Sequence, residues 1–388
     1  MDGSPNRNQV WPARRERARG EEPDPVSGAT ALLLQWFEGR ERDVPGRNES
    51  DPYRVWVAEV MAQQTRISTV IPYYESFLAR FPDVPTLAEA PLDDVLKRWE
   101  GLGYYGRARN LHRAAREVQT RYAGQLPEDP DVLRSLPGIG PYTAGAISSI
   151  AFGRAEPAVD GNVRRVLSRL YDLDSATPAR LEALMRDLIA AGPGGTAGRL
   201  NQAVMDLGSS TCTPRSPGCD ECPVAGMCVA LRNGTIDLRP RRRERRTLPH
   251  QDIGAALVWR GRQILIARRS ESGLLGGLWE FPGGKVEAGE TPAQAARREV
   301  LEELGVEAAI VGEADTVKHA YSHFRITLHL YHARWLAGGP SPGRIGAESP
   351  RWVLPVELER YAFPAANQAI VRRLVSGEER TPGSRDPA

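Results

Sequence analysis

Two carboxylates stand among neighbours that would not suit a solvated acid. Glu59 interrupts Tyr53-Arg54-Val55-Trp56-Val57-Ala58-Glu59-Val60-Met61, a stretch with apolar residues at helical spacing, and it falls among Val55, Trp56, Val60 and Met61. A carboxyl group held there is desolvated, so its pKa rises towards that of a useful proton donor. Asp160 lies in Val159-Asp160-Gly161-Asn162, ahead of the helical stretch Val163 to Leu167. Taken alone, Asp-Gly-Asn reads as a turn and a helix N-cap. Cys212, Cys219, Cys222 and Cys228 form a third group, spaced C-x6-C-x2-C-x5-C in a loop with Pro214, Pro217 and Pro223. Two disulfides, a zinc site or an iron–sulfur cluster are the alternatives, and disulfides are disfavoured in a cytoplasmic enzyme. Glu299, Glu302 and Glu303 form a fourth, on one face of a helix, where three carboxylates repel unless a hard cation such as Mg²⁺ joins them.

These groups need rigid carriers. Leu136-Pro137-Gly138-Ile139-Gly140-Pro141-Tyr142-Thr143 reads as a helix, a tight turn and a second helix; Gly138 and Gly140 permit positive φ and leave room for backbone N–H groups to meet one phosphate. Helices are expected from Ala29, at about 71–80 and 92–99, from the Gly101-Leu102-Gly103-Tyr104-Tyr105-Gly106-Arg107 turn to Tyr122, through Leu170, and from about 178 to 190. From Ile253 the alternation of Ala256, Val258, Ile264 and Ile266 predicts strands, and Thr291-Pro292-Ala293-Gln294 is a capping box with Pro at the first helical position.

The Gly-x-Gly turn, its Leu-Pro lead and the Asp about twenty residues later resemble the helix–hairpin–helix motif and catalytic aspartate of the endonuclease III and MutY family of DNA glycosylases. The stretch around Glu59 resembles the MutY segment that carries its catalytic glutamate, and the cysteine spacing is similar to the family's [4Fe–4S] loop rather than to a zinc ribbon. The second half contains a complete Nudix box, G-x5-E-x7-R-E-U-x-E-E-x-G-U, from Gly284 to Val306 through Glu290, Arg298 and Gly305. It resembles the MutT pyrophosphohydrolases of 8-oxo-dGTP, including Phe363-Pro364-Ala365-Ala366-Asn367 at their purine-binding segment; MutY enzymes carry a related domain that recognises 8-oxoguanine in DNA.

The resemblance implies an all-α glycosylase domain with an iron–sulfur loop, followed by an α+β Nudix domain. It also implies removal of adenine mispaired with 8-oxoguanine or guanine from double-stranded DNA. Glu59 would protonate the leaving base. Asp160 would stabilise the oxocarbenium-like sugar, with Asn162 and Tyr142 as orienting hydrogen-bond partners. Gln64 and Thr65 would touch the base opposite, Tyr104 would enter the stack as a wedge beside Leu102, and Gly138, Gly140 and Arg164 would hold phosphates. His319-Ala320-Tyr321-Ser322-His323-Phe324 resembles the family's Phe-Ser-His reader of the oxidised base, with Tyr321 replacing Phe. Another departure is Val44-Pro45-Gly46-Arg47 where the family has Leu-Pro-Trp-Arg, so a pocket wall is altered. The family's lyase members place a lysine where this hairpin has Tyr142, which implies glycosylase action without strand cleavage.

At 388 residues and 41% hydrophobic, the chain has material for two cores. The expected boundaries are a polar tail over 1–28, a glycosylase domain over 29–231, an Arg-rich linker over 232–250, the Nudix domain over 251–375 and a tail over 376–388. No apolar run reaches membrane-spanning length, and a cytoplasmic monomer is expected. Net charge is only +2, with the excess in Arg239 to Arg246, so DNA contact must rest on local groups such as Arg107 with Arg109 and Arg164 with Arg165.

Overall fold

The protein is described by a computed structural model covering residues 25–379, apart from 41–43, 48, 242–246, 272, 274, 322 and 339–346. Ser322, most of the Arg run and the outer parts of both tails therefore lie outside the described residues. The first half is helical: α1 (Pro25–Phe37), α2 (Pro52–Ala62), α3 (Ile67–Arg80), α4 (Val84–Glu89), α5 (Leu92–Arg98), α6 (Gly106–Tyr122), α7 (Pro130–Ser135), α8 (Pro141–Ile150), α9 (Gly161–Leu170), α10 (Pro178–Ala190), α11 (Ala197–Ser210) and the short α12 (Val229–Arg232). Several start as the sequence prescribes: Asp51, Asp83, Asp129 and Thr177 accept from the first free N–H groups, each with Pro at the start of its helix.

Two apolar clusters hold these helices. Trp56, Phe77, Phe81, Trp99 and Leu111 join α2, α3, α5 and α6, while Leu33, Phe37, Leu167, Met185 and Leu200 join α1, α9, α10 and α11. Helix α8 is shared, with Ala144 and Ile147 in the first cluster and Ala146 in the second. Glu59 rides on the first cluster and Asp160 caps a helix of the second, so α8 sets the spacing between the two acids.

The second half is a sheet of β1 (His250–Arg260), β2 (Gln263–Arg269), β3 (Trp279–Glu280), β4 (Gly283–Lys285), β5 (Glu307–Ala320), β6 (Arg325–Ala337) and β7 (Ala347–Val353), in the order β3-β2-β1-β6-β5, with β4 on β1 and β7 on β2. Strand β1 runs parallel to β6 and is buried on both faces. Ala255, Leu257 and Trp259 meet the cluster that includes Ile370 and Leu374 of α14 (Gln368–Ser376); Ala256 and Val258 meet Ala296 and Val300 of α13 (Pro292–Leu304). The Thr291–Gln294 capping box opens α13, and Gly305, at φ +66°, closes it.

Some expected boundaries shift. Helix α1 starts at Pro25, four residues inside the expected tail, because Gly28 packs so tightly on Met227 that a Cβ would come within 2.5 Å of its methyl carbon. The start of the expected linker is pinned: Asp172 accepts from Asn233 Nδ2 at 2.8 Å, Thr235 Oγ1 at 2.6 Å and Arg239 Nε at 2.7 Å. Likewise 376–379 are anchored, with Gly377 capping α14 and Glu379 bonded to His332 Nε2 at 2.7 Å and to Arg373.

Candidate active site

Between the two helical clusters opens a cleft of ≈ 1270 Å³ lined by Glu59, Tyr142, Asp160 and Asn162, together with Arg47 and Asp206. Glu59 is only 7% exposed. Burial pushes its pKa up; the hydroxyl of Tyr142 bonded to Oε2 and the charge of Arg47 pull it back, and Asp160 and Asp206 push it up again. The phenol of Tyr142 is itself held well above its ordinary pKa by burial and by Glu59, so it acts as a donor. Oε1 of Glu59 takes no hydrogen bond from the described residues.

Asp160 is the N-cap of α9, accepting from Val163 N at 2.7 Å and from Asn162 Nδ2 at 2.8 Å. Burial raises its pKa, and these donors with Arg165 counter the rise. The cap reading holds and does not exclude the chemical one: one oxygen closes the helix, and the other is held by Asn162. Tyr142 does not share this duty. Its hydroxyl is taken up by Glu59, with Met205 Sδ at 3.7 Å, because α8 faces α2 at that position.

Arg47 and Asp206 were not among the sequence candidates. Arg47 Nη2 lies 2.6 Å from Asp206 Oδ1, each side chain 10% exposed, while Arg47 Nε and Asp206 Oδ2 are buried without a hydrogen-bond partner. Two unsatisfied polar atoms in the wall of a cleft suit a ligand that donates and accepts. The available signal was Asp206 set within the apolar stretch from Ala203 to Leu207. Gly46 supplies the approach: at φ +78°, its Cβ would stand 3.0 Å from Ala58 Cβ and 4.0 Å from Glu59 Oε1. A side chain here would crowd the acid's helix from a backbone shape that disfavours it.

Around the cleft the expected DNA-facing groups divide. In the hairpin, Gly138 has φ +77° and packs against Asn110, while Gly140, the N-cap of α8, faces open space. Arg164 is exposed at the cleft. Tyr104, at φ +49°, is 40% exposed, whereas Leu102 is buried in the core and does not reach out as expected. Gln64 sits at φ +57°. Three arginines expected to meet phosphates are engaged inside the protein. Arg107 donates to the carbonyls of Val60 (2.9 Å), Met61 (2.7 Å) and Gln63 (2.6 Å) at the end of α2, to Thr65 Oγ1 (3.1 Å) and to Gly103 O (3.1 Å). Its burial lowers its pKa to about 10. Arg109 bonds Gly276 O, and Arg165 bonds Asn162 Oδ1 (2.8 Å), Gly208 O (2.6 Å) and Cys212 O (2.7 Å). The bare carbonyls at a helix end and in glycine turns recruit them.

The four cysteines are free and half-buried. Cys219, Cys222 and Cys228 have raised pKa values, through burial first and then through neighbouring thiols, Cys222 to about 11. Arg169, 2% exposed, sets Nη1 3.3 Å from Cys212 Sγ, and its carbonyl accepts from Cys228 Sγ at 3.4 Å. A buried cation beside four thiols fits an anionic thiolate cluster, and among the described residues no three His, Cys, Asp or Glu side chains are set round a single metal ion. In the Nudix box Arg298 occupies the carboxylates, with Glu290 at 2.9 Å, Glu299 at 2.9 Å and Glu302 at 3.0 Å. Glu303 stands apart; burial, with Glu280 and Glu299, pushes it to about 8. The three box carboxylates as placed do not encircle a cation. Tyr321 stacks on Phe324 at 4.9 Å, His323 is exposed and Asn367 is buried.

Hairpin, cleft and cysteine loop together define a helix–hairpin–helix enzyme of base-excision repair. The model for the HhH-GPD superfamily of base excision DNA repair proteins matches residues 57–191, the iron–sulfur binding domain of endonuclease III matches 212–228, and the NUDIX domain matches 254–373. The adenine DNA glycosylase of Homo sapiens is 34% identical over 413 aligned residues, covering 89% of this chain and 74% of its own. That of Buchnera aphidicola subsp. Baizongia pistaciae is 33% identical over 253 residues, covering 64% of this chain and 72% of its own. A solved thermostable thymine-DNA glycosylase matches 54% of this chain and 97% of its own, at 27% identity and a TM-score of 0.50. The chain belongs to the adenine DNA glycosylase family. It is a DNA-binding base-excision repair glycosylase with an iron–sulfur binding loop and a C-terminal Nudix domain. No helix among the described residues is long and apolar enough to cross a membrane.

Proposed function

We propose that the enzyme hydrolyses the N-glycosidic bond of adenine paired with 8-oxoguanine or guanine, in the cytoplasm, as a monomer, and leaves the strand intact. The observation that carries this reading is the pairing of a buried and a half-buried carboxylate in one cleft, Glu59 on Tyr142 and Asp160 on Asn162. Adenine leaves poorly as an anion. Glu59, whose protonated form burial favours, gives its proton to the flipped base, at N7 by family analogy. As the bond to C1′ breaks, Asp160 stabilises the cationic sugar, or traps it, until water adds. Tyr104 fills the vacated stack, Gln64 and Thr65 touch the opposite base, and Gly138, Gly140 and Arg164 hold phosphates.

Strand cleavage needs an amine for a Schiff base, and among the described residues the cleft lining contains no lysine. Cys212, Cys219, Cys222 and Cys228 would hold a [4Fe–4S] cluster that orders the loop behind α9. Tyr321, Ser322, His323 and Asn367 would read the oxidised base. Mg²⁺ enters only if it displaces Arg298 from Glu299 and Glu302, so slow hydrolysis of 8-oxo-dGTP is the secondary reading, favoured by the complete box. Strand breakage after alkali on duplexes with A opposite 8-oxoguanine, G, C and T tests the main reading: release from the first two is expected, and equal release from all four would overturn it. Efficient adduct trapping by borohydride would overturn the claim of an intact strand. For the secondary reading, the full chain with Mg²⁺ is compared with Glu302→Gln for pyrophosphate release, and no difference would remove it.

A further inference from the structure

The chain leading into the turn that carries Tyr104 is bonded to the C-terminal domain through Lys97 and Glu100, beside the Arg109–Gly276 and Asp93–Trp279 contacts. Helix α5 is capped by Trp99, fully buried, whose Nε1 donates to Gly103 O at 3.1 Å inside that turn. Glu100 follows. Its carbonyl accepts from Tyr73 Oη at 2.9 Å, and its carboxylate accepts from Lys97 Nζ at 2.6 Å and, through Oε1, from Phe363 N at 2.8 Å. Lys97 Nζ also donates to Tyr361 O at 3.1 Å. One ion pair of the glycosylase half thus holds two backbone groups of the other half, on either side of Ala362, which is 1% exposed in the first helical cluster.

The contact extends inwards. Phe363 stacks on Phe281 at 5.4 Å and opens the segment to Asn367, and Tyr321 packs against the apolar cluster that holds Phe363 and Ala366. A short, packed path therefore runs from the Tyr104 turn through Glu100 and Phe363 to Tyr321, one of the residues of the proposed reader. Surface ion pairs contribute little when both side chains are free to move. This one is tied to main-chain groups on both sides, so it fixes geometry, which a mobile pair cannot do.

We propose that Lys97 and Glu100 are positioning residues for opposite-base specificity, locking the segment that reads the oxidised purine to the turn that inserts Tyr104. The inference rests on the mispair reading above. Reader and wedge must engage the two members of one base pair at once, and the clamp lets recognition of 8-oxoguanine register the wedge at the adenine. With guanine opposite, the reader has nothing to hold and the clamp brings no advantage.

The experiment is single-turnover adenine release by the full, cluster-loaded chain on otherwise identical A:8-oxoguanine and A:G duplexes, for wild type, Lys97→Met, Glu100→Gln and Glu100→Ala. The expected result is that the rate ratio between the two duplexes falls about tenfold, the loss of one charge-assisted hydrogen bond, while the A:G rate stays within about twofold of wild type. A merely structural role would lower both rates together, and that outcome overturns the inference, as does an unchanged ratio in all three variants. Lys97→Met leaves the Glu100–Phe363 bond in place and serves if the Glu100 variants melt below assay temperature. Wild type with no preference for 8-oxoguanine overturns the mispair reading and this inference with it; a discriminating wild type beside equally discriminating variants overturns this inference alone.

Discussion

Glu59 shows how one residue would be prepared for the proton transfer proposed for it at a cost to the fold. Burial raises its pKa, so the carboxyl enters the folded state comfortably only when protonated. Its contribution to stability is full below the ordinary glutamate pKa and is lost as pH rises through the higher folded value. Glu59→Gln should therefore melt at about the wild-type temperature near pH 4 and several degrees above it near pH 8, read from thermal melts across that range. The same variant and Asp160→Asn should abolish adenine release while leaving duplex binding within about threefold, since neither group is a phosphate anchor; turnover at the wild-type rate would remove them from the chemistry. Asp160 also has a raised pKa, so the acid limb of the rate profile should lie above that of an ordinary aspartate, and the alkaline limb should follow Glu59.

Elements matter here through close approach more than through propensity. Gly145 on α8 packs on the segment that delivers Asp160, and a Cβ there would lie 2.0 Å from Pro157 O, a backbone atom with no rotamer to yield. Gly145→Ala should destabilise by about 2–3 kcal/mol in urea unfolding and slow adenine release by moving Asp160. Arg107 has the complementary part, filling bare carbonyls at the end of α2 and in the Tyr104 turn while stacking on Trp99 and Tyr104 at 5.4 Å. Arg107→Met should cost about 3 kcal/mol of stability, because those buried carbonyls lose their donors. Since the Arg107 guanidinium is turned into the protein and neutralises no phosphate, the salt dependence of DNA binding by this variant should keep its slope.

Across the whole molecule, the cysteine loop is wired to Asp160, the aspartate proposed to act at the sugar. Arg165 bonds both Cys212 O and the Asn162 that steadies Asp160, and Arg169, one turn further along α9, lies against Cys212 Sγ. The purified protein should be yellow-brown with about four irons per chain. Arg169→Met should lower iron retention by about tenfold to a hundredfold, measured as iron per chain and visible absorbance, with adenine release falling in parallel.

Local order could be read from the sequence because it depends on neighbours along the chain. Glu59 among apolar residues, Asp160 ahead of a helix, the Thr291–Gln294 box and the Gly138 turn all fell where short-range sterics and capping place them. The complete Nudix box and the cysteine spacing likewise identified their domains by pattern. Partner choice did not follow from the sequence. Tyr142 went to Glu59 rather than Asp160, Leu102 turned into the core, and Arg107, Arg109 and Arg165 were drawn inwards by unpaired carbonyls from segments 43 to 167 residues away. The Arg47–Asp206 pair spans 159 residues, and the Glu100–Phe363 bond spans 263. A sequence states which groups need partners, whereas packing decides which of many equivalent carbonyls and carboxylates comes within reach, because burial makes each unsatisfied one costly.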